Sequence, residues 1–172
     1  LEVSNYHLTT KDDQFEKMDE KEKLNFVELE NSKTDYNILR KDLTHYLQKI
    51  FSENVNNEFT QRIFEIGKVF SLKDNLPHEK NSIALAVCPG NFTELKQILN
   101  YLFKMIGKSI QFEEPKENPD YFIKGRVAEI KMENKTLGFL GEIHPKILRN
   151  WKIRMPVALF EMDFDEILKS LK

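Results

Sequence analysis

The segment from Asn37 to about Asn54 constrains the fold more strongly than any other stretch of the sequence. Its large apolar residues recur at steps of three and four positions: Ile38, Leu39, Leu43, Tyr46, Leu47, Ile50 and Phe51. This spacing places them on one face of an amphipathic helix. Segment 91–107 has the same periodicity and ends on Gly107, a residue type that commonly follows the last turn of a helix,. The sequence therefore predicts two long helices, each with an apolar face that other elements must cover.

Segments with the character of strands surround these two helices. They are 2–8, 24–30, 61–70, 81–88, 109–114, two strands around the turn at 133–136, and 156–164. Short helices are predicted at 9–18, 144–151 and 165–172. Strands joined by hairpins, with helices packed on them, indicate an α+β fold built on a largely antiparallel sheet. A chain of 172 residues can bury a substantial core,, and we expect a single domain over 1–172.

Composition excludes several classes of protein. The formal net charge of −2 gives no overall basic field that would draw the chain to DNA or to anionic lipid,. No apolar stretch approaches the roughly 20 residues of a membrane-spanning helix. Cys88 is the single cysteine and lies in an apolar run, so an internal disulfide is excluded and a buried, inert thiol is expected,. Because the chain begins at Leu1 without methionine, we expect it to be a piece of a longer protein.

Familiar catalytic and metal-binding motifs are absent from the sequence. The glycines are scattered and form neither of the common phosphate-binding motifs,. The four histidines are far apart and there is no second cysteine, so no zinc-binding spacing occurs,. The basic run at 146–154, which includes Trp151, could form a small RNA-facing patch, although a solvated helix surface is the more common meaning of such a pattern,.

The stretch GEIHP, residues 141–145, places a glutamate two positions before a histidine at the end of a predicted strand. Such a pair could be an acid/base couple or half of a metal site. A structural explanation exists for every member, however. Pro145 suits the first position of a helix and holds His144 in the extended conformation of an N-cap. Gly141 permits a close backbone approach, and Glu142 is favoured near a helix start. Local physics therefore favours a strand-to-helix transition.

Four longer stretches carry a resemblance to a known family. They are VELENSKTDYNILRKDL, FTQRIFEIGKVF, GRVAEIKMENKTLGFLGEIHPKILRNW and MPVALFEMDF. In this order they resemble the β subunits of phenylalanyl-tRNA synthetases, especially the shorter archaeal and eukaryotic type. The resemblance runs from about Glu2 to Ile167, and IFEIG and LGEIHP are its most specific parts. The family-motif residues to which it gives a structural role are Phe64, Glu65, Gly67, Gly141, Glu142, His144 and Pro145.

The resemblance implies a module folded like a class II aminoacyl-tRNA synthetase domain, with an antiparallel sheet flanked by helices. In that family the module is not catalytic and pairs with an α subunit, which binds ATP, Mg²⁺ and phenylalanine, in an (αβ)₂ assembly. The whole enzyme, a cytoplasmic ligase of protein biosynthesis, joins phenylalanine to tRNA(Phe). The resemblance thus implies a segment with no cofactor, metal or catalytic residue of its own.

The resemblance also places the helix at 37–54, with the strand after it, where the first class II motif is used for subunit association. The interface residues that it indicates are Leu39, Arg40, Leu43, Tyr46, Leu47 and Ile50. The apolar stripe that they form is no wider than the face that a helix buries against the sheet of its own domain. The same residues could therefore belong to the core instead of an interface.

Some features depart from the family pattern and leave other functions open. Asn31-Ser32 stands where the family often has Asn-Pro, and Thr60-Gln61 stands where a proline is expected. The arginine motifs that active class II domains use have no match, which agrees with a non-catalytic module. Two alternatives are a free-standing class II-like enzyme that activates an amino acid with ATP, and a tRNA-binding module that uses the basic run at 146–154.

Overall fold

The computed structural model describes residues 1–21 and 25–171. The strands within these residues are β1 (Leu8–Thr9), β2 (Ile38–Leu39), β3 (Gln61–Lys73), β4 (Leu76–Cys88), β5 (Gln111–Glu113), β6 (Phe122–Met132), β7 (Lys135–Ile143) and β8 (Ala158–Asp163). The helices are α1 (Thr44–Glu53), α2 (Phe92–Met105), α3 (Pro145–Asn150) and α4 (Phe164–Ser170). Within the segment predicted as a short helix at 9–18, a π-helical turn forms at Asp12–Glu16, so that helix is shorter than predicted.

The large sheet is antiparallel, with strand order β3-β4-β8-β7-β6-β5, and β1 pairs separately with β2. The hairpins β3–β4 and β6–β7 build most of it. Each turns through two residues with positive φ, Asp74-Asn75 and Glu133-Asn134. Paired positive φ angles are typical of tight turns whose twist matches that of the strands. The predicted α+β fold on an antiparallel sheet is confirmed, as is the hairpin around 133–136.

Helices cover both faces of this sheet, and the side chains of β4 show how. Ala84 and Ala86 belong to the core beneath α1 and α3, whereas Leu85 and Val87 belong to the core beneath α2 and α4. A strand that is buried on both faces carries a continuous apolar run instead of an alternating pattern. The central position predicted for this segment is confirmed, because β4 pairs with β3 on one side and β8 on the other.

The first long helix begins later than its periodicity predicts. α1 starts at Thr44, whereas Ile38–Leu39 form β2 and pair with β1. The backbone N–H of Arg40 extends this pairing by donating to a carbonyl oxygen of the opposite segment (2.8 Å). Asp42 then accepts a hydrogen bond from the N–H of Thr44 (3.2 Å), as a residue at a helix start does,. The predicted helix was therefore wrong over 37–43, because the adjacent apolar residues Ile38 and Leu39 fit a short buried strand as well as a helix,.

The remaining helices begin where the sequence predicts. Asn91 accepts a hydrogen bond from the N–H of Glu94 at the start of α2 (2.9 Å). Asp163 accepts one from the N–H of Glu166 at the start of α4 (3.1 Å). Such side-chain caps satisfy N–H groups that have no partner inside the helix. The helices predicted at 91–107, 144–151 and 165–172 are thus confirmed, although Lys172 itself lies outside the described residues.

The two strands predicted nearest the start of the chain are largely wrong. In segment 2–8, Glu2 forms an isolated parallel bridge with Phe64, and Leu8 is the one residue that belongs to a strand, β1. Of 24–30, one residue makes an isolated antiparallel bridge, Glu28 with Ile38, and Leu24 lies outside the described residues. Each segment meets a neighbouring strand over too few residues to form a continuous ladder.

In the described ranges, no helix is long and apolar enough to cross a bilayer; α2, for example, has 14 residues. Cys88 is buried and unpaired. Burial raises the pKa of its thiol to about 11, so the thiol remains protonated and unreactive near neutral pH,.

Candidate functional site

The predicted interface residues, which lie in β2, in α1 and in the segment between them, are mainly inside the core of their own chain. Leu43 and Leu47 are wholly buried, and Tyr46 is 4% exposed. Leu43 and Leu47 pack against the apolar side chains of the sheet, so core packing takes up most of the predicted stripe. Leu39 and Ile50 are partly exposed and are the apolar members of the set that a partner could reach. An interface at this helix stays a prediction, and its accessible part is small.

Arg40 is also buried, in a cluster of polar side chains that joins the segment before α1 to β3. Its Nη1 atom lies 2.6 Å from Glu65 Oε1, and its Nε donates to the carbonyl oxygen of Lys68 (2.8 Å). Asn5 donates to the second oxygen of Glu65 (2.6 Å). A Cβ atom added to Gly67 would lie 2.3 Å from Arg40 Nη2. The glutamate and glycine of IFEIG therefore provide the charge and the space that this buried guanidinium needs.

Asp42 organises a second buried polar group at the first turn of α1. Its carboxylate accepts hydrogen bonds from the side chains of Thr44 (2.7 Å) and Gln14 (2.8 Å). His45 Nδ1 lies 3.3 Å from it, and His45 Nε2 lies 3.1 Å from the hydroxyl of Thr9. Burial alone would raise the pKa of Asp42, but the contact with His45 and the charge of Lys41 outweigh it and hold that pKa well below its usual range.

Glu161, on β8, lies close to Asp42. Its Oε2 accepts a hydrogen bond from the N–H of Leu43 (2.9 Å), and its Oε1 accepts one from the hydroxyl of Ser82 (2.7 Å). Burial, followed by the negative charge of Asp42, raises the pKa of Glu161 to about 8 despite these two hydrogen bonds. Two neighbouring carboxyl groups are thus driven to opposite protonation states, a pattern found at functional sites and also in structural networks.

These two carboxyl groups line an open cleft of about 500 Å³ beside the start of α1. Its walls come from β4, β7, β8 and the loop before β6. The charged and aromatic side chains that line it are Glu20, Lys41, Asp42, Lys80, Glu117, Tyr121, Phe139, Glu161 and Asp163. The sequence analysis missed this cleft, because its members are far apart along the chain. The one local signal was an acidic residue inside the apolar strand VALFEMDF.

The residues of LGEIHP have structural contacts in the strand-to-helix transition. Glu142 accepts hydrogen bonds from the N–H of Phe92 (3.0 Å) and from the guanidinium of Arg126 (2.7 Å). His144 Nδ1 accepts one from the N–H of Lys146 (3.2 Å), with Pro145 in the first turn of α3. A Cβ atom on Gly141 would lie 2.7 Å from the ring of Phe122. Glu142 and His144 therefore have separate partners, and their contacts are those of caps and close packing.

The basic run at 146–154 does not offer an aromatic platform to RNA. Trp151 is 4% exposed and packs in the core below α1 and α3. Lys146 is held by Asp19, with an Nζ–Oδ1 distance of 2.6 Å. The interpretation of Trp151 as part of an RNA-facing surface was therefore wrong, because the indole fills the core where α3 ends.

A groove of about 560 Å³ between α2 and α4 is lined almost wholly by apolar side chains. Phe64 and Ile66 of β3 contribute to its floor. Tyr101 and Met105 on its rim are each 67% exposed, and Leu168 is 43% exposed. A contiguous apolar surface of this kind is uncommon on a protein that acts alone. The periodicity of α2 indicated its buried face but not this second, exposed one.

Comparison with known proteins places the chain in a family. A family model described as the phenylalanyl tRNA synthetase beta chain CLM domain matches residues 1–164. The phenylalanine–tRNA ligase beta subunits of Thermococcus sibiricus and Pyrococcus furiosus are each 36% identical to the chain over 94% of its length. That of Methanocella arvoryzae is 34% identical over 92%. The chain spans 29–30% of the length of these relatives. The chain therefore belongs to the family of phenylalanyl-tRNA synthetase β-chain CLM domains, as its motifs predict.

Proposed function

We propose that the chain is a non-catalytic structural module of a phenylalanine–tRNA ligase β subunit, with the fold of a class II synthetase domain. The match of the family model over residues 1–164 carries this proposal. The relatives reported above are named β subunits of that ligase, and such a subunit implies an α partner. A six-stranded antiparallel sheet with helices on both faces is compatible with a single class II-like domain over 1–172.

The side chains of the cleft support a role without catalysis. Among the described residues that line it, the cations are Lys41 and Lys80, and arginine does not occur. Lys41 is paired with Glu20, and Lys80 is paired with Asp163. The planar donors of arginine suit nucleotide phosphates especially well, and Arg40 is buried against Glu65,. In our proposal ATP and Mg²⁺ therefore bind to the α subunit.

The proposed assembly is the (αβ)₂ ligase that charges tRNA(Phe) with phenylalanine in the cytoplasm. The module would support the α subunit by pairing with it along α1. Leu39 and Ile50 are the partly exposed apolar side chains on the predicted interface, and they would make the contact. The groove between α2 and α4 is a larger exposed apolar surface, so the test must include it as an alternative.

Co-purification of the chain with a cognate α subunit tests the pairing. We expect a stable complex that Ile50→Glu weakens by at least about tenfold in Kd, because a charge would enter the contact. Met105→Glu, on the rim of the groove, is the matched variant, and circular dichroism would confirm that both fold. Loss of the complex in Met105→Glu alone would move the interface to the groove. If the unaltered chain and the α subunit do not associate, the proposal of pairing fails.

An activity measurement separates this proposal from the free-standing enzyme. We expect the chain alone to catalyse no exchange of pyrophosphate into ATP with phenylalanine or any other amino acid. Exchange that is abolished by substitution of a cleft residue such as Glu161 would show that the module is itself an amino-acid-activating enzyme. The α subunit assayed in parallel with the chain supplies the positive control.

A further inference from the structure

We propose that the cleft between β4, β7, β8 and the loop before β6 binds a small organic cation, a protonated amine with an apolar or aromatic body. Its ammonium group would lie at Glu161 and Asp42, and its apolar part would lie against Tyr121 and Phe139. This site is distinct from subunit pairing, and its occupation does not depend on the function proposed above. The charge, the shape and the unused hydrogen-bonding capacity of the cleft suit such a ligand.

The charge of the cleft selects a cationic ligand. Its lining carries five acidic side chains, which are Glu20, Asp42, Glu117, Glu161 and Asp163, against the two lysines Lys41 and Lys80. Both lysines are already in ion pairs, the second with an Nζ–Oδ2 distance of 3.3 Å to Asp163. An anionic ligand would have to break these pairs, whereas a cation would meet an excess of negative charge.

The aromatic wall favours an organic cation over a simple ion. The Tyr121 hydroxyl makes no hydrogen bond to any residue in 1–21 or 25–171. The Tyr121 ring packs against the ring of Phe122 in a tilted arrangement, with 4.6 Å between the ring centroids. Phe139 lines the same cleft and is partly exposed. Aromatic faces attract ammonium groups, and a free phenol can accept a hydrogen bond from one.

The carboxyl groups are not arranged as a metal site. In the described part of the chain, no three acidic, histidine or cysteine side chains converge closely enough to hold a metal ion. Mg²⁺ or Ca²⁺ needs six or more oxygen ligands, some of which may be bound waters. An ammonium group needs only two or three acceptors, and Glu161, Asp42 and Tyr121 supply that number.

Proton linkage gives the site a measurable signature. Burial and the charge of Asp42 raise the pKa of Glu161 to about 8, so this carboxyl group holds a proton at neutral pH. Lys80, Lys41 and Tyr121 interact electrostatically with it. Glu20, Glu117 and Asp163 line the same cleft. An ammonium group at Glu161 would replace the proton and favour the carboxylate. Binding should therefore release protons below about pH 8, and affinity should rise with pH by up to about tenfold per unit.

Calorimetric titration of the chain with benzylamine tests the proposal, with benzyl alcohol and benzoate as neutral and anionic compounds of the same shape. We expect benzylamine to bind at least about tenfold more tightly than either, and five- to tenfold more tightly at about pH 7.5 than at about pH 6.5. Equal affinities for the three compounds, or no binding of benzylamine, would overturn the proposal. Binding of phosphate or Mg²⁺ without binding of benzylamine would also overturn it.

Two variants locate the site. Glu161→Gln should reduce benzylamine affinity at least about tenfold and remove its pH dependence, because the amide cannot ionise. Tyr121→Phe, which removes only the hydroxyl, should weaken binding a few-fold. This variant tests the site even if Glu161→Gln does not fold. Glu113→Gln lies outside the cleft on β5 and should leave binding unchanged. Unaltered binding in both cleft variants would show that benzylamine binds elsewhere and would contradict the assignment.

Discussion

Arg40 and Glu65 form an ion pair that lies almost entirely inside the protein, with side chains 1% and 2% exposed and an Nη1–Oε1 distance of 2.6 Å. The pair joins the segment before α1 to the edge strand β3. Resemblance to the family indicated Arg40 as an interface residue. The Arg40 side chain is buried, however, so a partner or a phosphate group cannot reach it. The pair instead fixes the path by which the chain enters α1.

Arg40→Met should destabilise the protein strongly. Removal of Arg40 leaves the carboxylate of Glu65 buried, with Asn5 as its remaining donor among residues 1–21 and 25–171, and such a loss typically costs about 3–5 kcal/mol,. Urea denaturation followed by circular dichroism would measure the free energy of unfolding. The double variant Arg40→Met/Glu65→Leu should recover much of the loss, since no unpaired charge remains. A single variant within about 1 kcal/mol of the unaltered protein would contradict this role.

Gly67→Ala should destabilise the protein through the same guanidinium. The added methyl group would lie 2.3 Å from Arg40 Nη2, so the ion pair must shift. Overpacking of this kind typically costs about 1–3 kcal/mol. Because the clash involves the arginine side chain, the cost should fall when Gly67→Ala is made in the Arg40→Met protein. A double-mutant cycle in urea would show this coupling, and strictly additive costs would mean that the methyl group clashes with something else.

The sequence predicted those parts of the fold whose apolar patterns extend over many residues. The strands predicted at 61–70 and 81–88, α2, the β6–β7 hairpin and the final strand and helix all have such patterns. The strand predicted at 24–30 failed because that segment meets a neighbouring strand at one bridge, made by Glu28. The helix was predicted too long because Ile38 and Leu39 fit a helix or a strand equally well. Pairing with β1, which is distant in sequence, decided between them.

The cleft could not be predicted for a related reason. Its central residues are Asp42, Ser82, Tyr121 and Glu161, and each lies about forty positions from the next, so no local spacing connects them. Register alone brings two of them together, since β4 pairs with β8 and places the Ser82 hydroxyl 2.7 Å from Glu161. Short motifs in the sequence therefore point to residues with structural contacts, such as Glu142 and His144.

The stability of the protein should fall as pH rises from about 4.5 to about 8. Glu161 has a pKa of about 8 in the folded protein against 4.5 for the free group. Between these values the folded protein holds a proton that the unfolded chain has lost, so the free energy of unfolding falls by at most about 1.4 kcal/mol per pH unit. The pKa of Asp42 is lowered in the folded protein, so its contribution to stability is lost as pH falls below about 3.8, outside this window,.

Urea denaturation at several pH values would measure this effect, and Glu161→Gln should flatten the dependence between about pH 5 and about pH 8. Glu129→Gln, a change to a carboxyl group on β6 that contacts Thr136 at the surface, should preserve it. If Glu161→Gln has the same slope as the unaltered protein, another group titrates in this window and the protonated state assigned to Glu161 is wrong.

Leu47→Asp and Met105→Glu should differ sharply in stability, although each places a carboxylate on an apolar helix surface. Leu47 is wholly buried against the sheet, so an aspartate there would leave an unpaired buried charge and should cost more than about 4 kcal/mol or prevent folding,. Met105 is 67% exposed, so Met105→Glu should change stability by no more than about 0.5 kcal/mol,. Thermal and urea denaturation of both variants would decide the matter. A well-folded Leu47→Asp protein would show that this face of α1 is free for a partner, as the family resemblance first indicated, and would return the whole stripe to the candidate interface.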